Sequence, residues 1–493
     1  MIRAGMAAWA AAVAVALAGP GPAQAGPFLD PGDTGLRSAV QRLADAGLIS
    51  APVTTWPLAV VDVDVQVPPG RVLTEGEARA LAQVRAAVRT AQLDRDPSVT
   101  IDLAGGADPE VIRGFEDTPR ARGEAGATFA LTGNRGAVRL SAQVVADAED
   151  DRALRADGSY AAVALGNWAF AVSAQDRWWG PGWQGSLILS NNARPLPSLV
   201  IDRVASTPFE SRWLRWIGAW DFVTLMGITE NDRAVPNALV WGARLTVRPT
   251  RFLEAGFSRL AMWCGEDRPC GFSTFADVVL GRDNAGDNVN PEDEPGNQQA
   301  GYDLRLSGAP WGVPVALYGQ RIGEDEQDFL PSLFLTQLGV EAWGTAGRFG
   351  NWRLYLEAAD TLCGGNFGGD GLADCAYNHP IYATGMRYRG RTLGHAADSD
   401  AELYSLGVVL TGDDTNAWVL SASTGDLNRV GVVPEPGNPV AAGPTDYRSL
   451  RLVHRRRLPF GALQFLAGVE SFEPDAGGTD HDVRVSVSWR YPE

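Results

Sequence analysis

The chain has 493 residues, with 59 acidic against 42 basic side chains and a net charge of −17. Every basic residue is arginine. So acidic a chain offers no electrostatic footprint for nucleic acid, whose binding rests on clustered cations releasing counterions, and nucleic acid is excluded as a partner.

Met1-Ile2-Arg3 is followed by an apolar run from Ala7 to Ala18, a Gly19-Pro20-Gly21-Pro22 break and Ala23-Gln24-Ala25. This is the form of a secretory leader over residues 1–25. Its apolar core is shorter than the roughly 20 residues of a spanning helix, and no later run is longer, so membrane residence requires a barrel.

Residues 26–122 have a helical pattern. Asp33 and Thr34 cap a helix whose apolar face is Leu36, Val40 and Leu43, ended by Gly47. Thr74-Glu75-Gly76-Glu77 is a capping box for a second helix with Ala78, Leu81, Val84 and Val88 on one side. Asp108-Pro109 begins a short third. This bundle is too small for a large core of its own and is expected to dock on the remainder.

From about Ala125 the period becomes two, as in Ala137-Val138-Arg139-Leu140-Ser141 and Asp482-Val483-Arg484-Val485-Ser486-Val487. About eighteen to twenty such segments of about ten residues follow, which predicts an outer-membrane antiparallel β-barrel over 123–493. Soluble sandwiches and propellers also alternate, but no blade-length repeat occurs. Short links at 133–135, 166–167, 249–250, 309–310, 347–348, 413–414 and 457–458 alternate with long ones at about 147–158, 264–299, 322–332, 360–400, 426–446 and 473–481. That is the rhythm of periplasmic turns and outer loops. Parity asks for one further strand before Phe129, with Val99–Leu103 as its candidate. The alternation weakens near 177–212, where the chain is expected to fold back into the lumen.

Within that stretch Arg177-Trp178-Trp179-Gly180-Pro181-Gly182 and Ser190-Asn191-Asn192-Ala193-Arg194-Pro195 gather indoles, amides and guanidiniums. Indole faces pack on sugar C–H faces, and Asn and Arg supply paired hydrogen bonds for hydroxyls and carboxylates. Arg177, Trp178, Trp179, Asn191, Asn192 and Arg194 are therefore candidate polysaccharide readers. Trp263, Tyr377, Tyr382, Arg387, Tyr388 and Arg389, on long loops, join them. Two plainer readings stand beside this one. Tryptophans also anchor barrels at membrane interfaces, and Gly180, Pro181 and Gly182 suit a fold-defining turn.

The four cysteines form two local pairs, Cys264–Cys270 and Cys363–Cys375, read as disulfides closing loops in an exported chain. The four histidines lack ligand spacing, so no metal and no cofactor is expected. The run Asp287 to Gln299 is read as an acidic loop over a calcium site, lacking the fixed Gly and final Glu of an EF-hand. No nucleophile elbow, zinc-protease or phosphate-loop motif occurs. For a hydrolase the sequence offers only His379, Asp360, Glu357 and the run Glu324-Asp325-Glu326.

The two Trp- and Asn-rich words, with Gly32-Asp33-Thr34-Gly35-Leu36-Arg37, Thr55-Trp56-Pro57-Leu58, Trp216-Ile217-Gly218-Ala219-Trp220, Leu253-Glu254-Ala255-Gly256-Phe257-Ser258-Arg259 and Arg387-Tyr388-Arg389-Gly390-Arg391 followed by Gly394-His395, resemble the Wzi capsule assembly proteins through nearly the whole mature chain. The resemblance implies an eighteen-stranded outer-membrane barrel with a periplasmic helical bundle, acting without catalysis as a lectin that anchors capsular polysaccharide or another exopolysaccharide. Outer-membrane lipid would be the other partner, and a monomer is expected. The cysteine pairs depart from the family pattern. A porin-like sugar channel and a surface polysaccharide hydrolase are the rival readings.

Overall fold

A computed structural model describes residues 26–93, 97–280, 296–327, 330–412, 416–431 and 437–492. The leader, most of the acidic run from Asp287 and the turn at 413–415 lie outside the described residues.

The strands close into one antiparallel barrel in which each pairs with its neighbours in sequence. The two-residue strand Leu154–Arg155 and Tyr160–Leu165 both pair with Gly136–Ala148, so they occupy one position in the wall, which then has eighteen. The ring begins with Ser98–Gly106, the strand that parity required. It closes on Asp480–Tyr491, with Ile101 to Gly106 set against Tyr491 to Ser486. The helical unit expected over 26–122 therefore ends before this strand. Val99, Ile101 and Leu103 point outward and are exposed, so the short Val-Thr-Ile-Asp-Leu alternation is a lipid-facing wall.

The burial pattern is inverted relative to a soluble protein. On Gly296–Gly308 the side chains of Tyr302, Leu304 and Leu306 are exposed while Asp303, Arg305 and Ser307 are buried. Val483, Val485 and Val487 repeat this around Arg484. Apolar-out and polar-in alternation is what a bilayer outside and a polar lumen inside select.

Helix α1, Thr34–Asp45, is capped by Asp33, whose Oδ1 accepts the Leu36 N–H at 2.8 Å. It ends at Gly47, whose φ of +73° suits glycine. After the single turn α2, Val60–Val63, comes α3, Glu75–Leu93. Its capping box is closed by Thr74 N–H donating to Glu77 at 2.8 Å and Glu77 N–H donating to Thr74 Oγ1 at 3.2 Å. Leu36, Val40 and Leu43 of α1 pack on Ala80, Leu81, Val84 and Val88 of α3. The helix expected from Asp108-Pro109 does not form, and 107–120 is an irregular loop turned inward. Phe115 on that loop packs edge-on against Trp56 and Trp178 at 5.3 and 5.2 Å, contacts across the lumen that a local helix would not give.

The bundle sits at the end with the short turns: Arg42 donates to the Gly344 carbonyl and Thr345 Oγ1, and Gly47 lies against Arg251. This is the periplasmic end. At the other end one expectation fails. The link at 322–332 is not a long loop, because Val315–Gln327 and Leu330–Thr345 stay paired to Gln327 and Leu330. Alternation through Gly and acidic residues gave no sequence signal for this extension.

Candidate functional site

The chain from Ala174 to Pro197 leaves the wall at the outer end and descends into the lumen. Trp178 and Trp179 pair as a two-residue strand with Trp56 and Thr55, and Gly180 N–H donates to the Thr54 carbonyl at 3.0 Å. An outer loop thus meets the periplasmic segment inside the barrel. The same loop meets a second one, since Ser190 N–H donates to the Leu393 carbonyl at 2.7 Å.

Inward-facing wall residues hold these segments. Glu357 accepts the backbone N–H groups of Trp183, Gln184 and Gly185 at 2.7, 3.0 and 2.9 Å, and also the Tyr318 hydroxyl and Gln337 amide. Glu341 accepts the Trp183 indole N–H at 2.9 Å and pairs with Arg305 and Arg353. Arg305 also reaches Asp45 of α1, and Arg353 reaches Ser38. Glu254 accepts Val53 N–H and Thr54 N–H, each at 2.8 Å, and Arg244 joins Asp303 to Thr54 and Thr55. Arg37 of α1 donates to the Pro181 carbonyl and lies 4.4 Å over both Phe115 and Trp183. Burial lowers its guanidinium to about 10. Arg37 and Glu254 fall within the family words, but the sequence assigns a role to none of these clamps except Glu357, a candidate carboxylate for hydrolysis. Their inward parity was readable, but their partners lie across the lumen.

The candidate readers are mostly interior. Trp178, Trp179 and Tyr377 are fully buried, and Tyr382, Tyr388 and Trp263 nearly so. Tyr377 donates to the Leu187 carbonyl and Tyr382 to the Cys264 carbonyl. Asn191 donates to the Phe115 carbonyl and Asn192 to that of Thr392. Arg387 is locked to Asp398, and Arg194 bridges Asp150 and Asp157. Arg177 is buried near Asp202 and Asp30, and burial lowers its guanidinium. The indole and phenol faces are thus packed by protein, and Asn191, Asn192, Arg194 and Arg387 already have protein partners. Arg389 differs. It lies half-buried at the tip of a two-residue hairpin turn, with φ of +53° at Arg389 and +81° at Gly390, and its guanidinium sits 5.6 Å over Tyr388.

The outer mouth around that tip is charged. Arg391 pairs with Glu149 at 2.7 Å, and Arg122 with Asp108 at 2.6 Å, half exposed to water. Below it two groups shift: the partly buried Asp176 is pushed up to about 6 by desolvation although Arg120 lies 2.8 Å away, and the buried His395 is pushed down to about 4 by burial. Disulfides join Cys264 to Cys270 and Cys363 to Cys375 in the loops. Among the described residues no His, Cys, Asp or Glu cluster could hold a metal ion. Of the carboxylates considered for hydrolysis, Asp360 accepts Leu362 N–H and pairs with Arg429, and Glu324 accepts Tyr377 N–H, while Glu357 is the clamp above.

A lipid-facing wall around a lumen filled by hydrogen-bonded loops and N-terminal helices defines an outer-membrane β-barrel built for something other than an open pore. Residues 96–489 match the capsule assembly protein Wzi family, and the chain belongs to that family. An uncharacterized 55.8 kDa protein in the cps region of Klebsiella pneumoniae is 34% identical over 335 residues, 67% of this chain and 64% of that relative's length. The solved structure of Wzi from Escherichia coli, an outer-membrane protein involved in group 1 capsule assembly and a carbohydrate-binding β-barrel, superposes with a TM-score of 0.79 at 27% identity, covering 95% of this chain and 100% of that one.

Proposed function

We propose that this protein binds capsular polysaccharide or a related exopolysaccharide at its outer face and holds it at the cell surface without cleaving it. The observation that carries this is the match over 95% of the chain, at a TM-score of 0.79, to a carbohydrate-binding barrel of the same family. The filled lumen supports it against a sugar channel, because the Glu357 and Glu254 clamps tie chain from both ends of the barrel across the path. Engaged carboxylates support it against a hydrolase. The site is the charged outer mouth, with Arg389 at the hairpin tip as the cation for an acidic sugar. The barrel works as a monomer surrounded by outer-membrane lipid.

The test is deletion of the gene in its host with complementation by the wild-type chain. Polymer that is still made but moves from cells into the medium, and returns to cells on complementation, supports the anchor. Unchanged attachment overturns it.

A further inference from the structure

Along the strand Leu253–Trp263 the side chains of Glu254, Ser258, Leu260 and Met262 face the lumen, where Glu254 holds Val53 and Ser258 meets Arg244. Phe257, Arg259, Ala261 and Trp263 therefore face outward, toward lipid. Phe257 is 54% exposed, as that side should be, but Ala261 is fully buried and Trp263 is 6% exposed.

The cover is helix α4, Phe272–Leu280, lying against the outer surface of the wall. Its Phe275 packs 5.1 Å from the Trp263 ring and edge-on to Trp241 at 6.0 Å. Its Val278 is fully buried in a cluster with Met226, Leu239 and Trp241, which are outward residues of the two preceding strands. Near the other end of the helix, the outward-facing Arg259 donates to the Val279 carbonyl at 3.4 Å and also contacts Gln298. Arg259 lies four residues down the strand from Trp263, so α4 descends along the wall. A guanidinium facing hydrocarbon is costly, and the C-terminal carbonyls of a helix are favourable company for it.

The loop's root turns the chain outward: Cys264 and Cys270 are bonded, and Gly265 between them has a φ of +105°. The side of α4 away from the wall carries Phe272, 86% exposed, and Leu280, 55% exposed. Ser273 is exposed between them and Asp277 half-buried beside them, so the free face is mainly rather than wholly apolar; its apolar side chains are stable where that face meets nonpolar matter. One face meets the wall, and the other continues the lipid-facing surface of Phe257 and Tyr302.

We propose that α4 is an anchor turned out of the barrel into the outer-leaflet side of the bilayer, its free face packed by lipid acyl chains. It fixes the height of the barrel on the side of strands Ala219–Ile228, Leu239–Thr250 and Leu253–Trp263, and so the height at which the outer loops stand above the membrane.

The test places a nitroxide at Phe272→Cys or Leu280→Cys in the full chain, reconstituted in phosphatidylethanolamine and phosphatidylglycerol vesicles. Accessibility to oxygen and to a water-soluble nickel chelate is read by power saturation, with Phe257→Cys as the lipid reference and Arg152→Cys as the water reference. Oxygen accessibility exceeding nickel at either position, matching residue 257, supports the anchor. Nickel exceeding oxygen, as at residue 152, overturns it. Low accessibility to both with spin–spin broadening assigns the face to a second copy and also overturns it. If one substituted chain does not fold, the other reads the same face.

Discussion

Replacing Glu357 by alanine should release the lumen segment while leaving the wall intact. Its carboxylate accepts three consecutive backbone N–H groups, those of Trp183, Gln184 and Gly185, together with Tyr318 and Gln337. A hydrogen bond to a charged group contributes about 1.5–3 kcal/mol net, so losing the three backbone bonds alone removes about 5 kcal/mol or more of local stability. A change of about 5.5 kcal/mol is enough to invert a two-state ratio from 99:1 to 1:99. Trp183 keeps its bond to Glu341 and the stacked Arg37, so release should be partial and frequent rather than complete. The wall should survive because the strand containing Glu357 remains paired on both sides, with Leu330–Thr345 and Glu402–Thr411. Two assays read this: planar-bilayer conductance, closed for wild type and flickering open for Glu357→Ala, and protease cutting between residues 174 and 197 of the folded barrel. Glu357→Gln should be intermediate, since one oxygen still accepts while its NH2 group confronts N–H donors. A folded Glu357→Ala barrel that is neither cut faster nor more conductive than wild type would refute the clamp.

His395 has a pKa near 4 in the folded chain against an ordinary 6.5, so its contribution is fully present above pH 6.5 and is lost as pH falls toward 4. The total is about 3 kcal/mol, from 1.36 kcal/mol per pKa unit. Asp176, raised to about 6, acts in the opposite sense and disfavours the fold as pH rises from 3.8 through 6. His395→Gln should therefore narrow the loss of Tm between pH 7 and pH 4.5, and an unchanged loss would count against the ring. Gly185→Ala should lower Tm because the added methyl overlaps the His395 ring and meets nothing it can displace cheaply. Trp178→Ala should cost about 3–5 kcal/mol of folding stability by cavity formation, seen in the heat-modified gel shift; an unchanged gel shift would count against its packing role. Arg389→Gln should leave the gel shift unchanged and weaken retention of an acidic exopolysaccharide; undiminished retention would remove it from the site.

The wall was readable because a bilayer outside and a polar lumen inside impose a period of two on every strand, as in Val483, Val485 and Val487 around Arg484. The leading helix was readable because its cap is local, with Asp33 and Leu36 three residues apart. The lumen was not. Glu357 and Gly185 are 172 residues apart, and Arg244 meets Thr55 across 189, so no local pattern carries those pairings. The interior placement of the tryptophan cluster was hidden for the same reason. Indoles that suit sugar faces suit protein interiors as well, and only the long-range placement of Thr55-Trp56 against Trp178-Trp179 separates the two uses. The outward course of α4 was equally hidden, because a short apolar helix in a loop has no sequence feature that says which side of the wall it will cover.

The filling of the lumen also bears on how such a barrel could hold a polymer. Three stretches far apart in sequence interlock there: Thr54–Trp56 against Trp178–Gly180, and Ser190 against Leu393. The hairpin that lifts Arg389 to the outer mouth begins at Arg387, whose guanidinium is fixed to Asp398 and whose carbonyl accepts Arg233 from the neighbouring loop. A cation on a free loop would have to be ordered before it could hold a flexible polymer. Here the ordering cost of the loop is already met in folding, by the same buried contacts that fill the lumen, so on the proposed function binding at the mouth would lose less entropy. Closing the lumen and presenting a firm outer surface are then one structural device, and a substitution that loosens the interior, such as Glu357→Ala, should weaken polymer retention without touching a residue at the mouth.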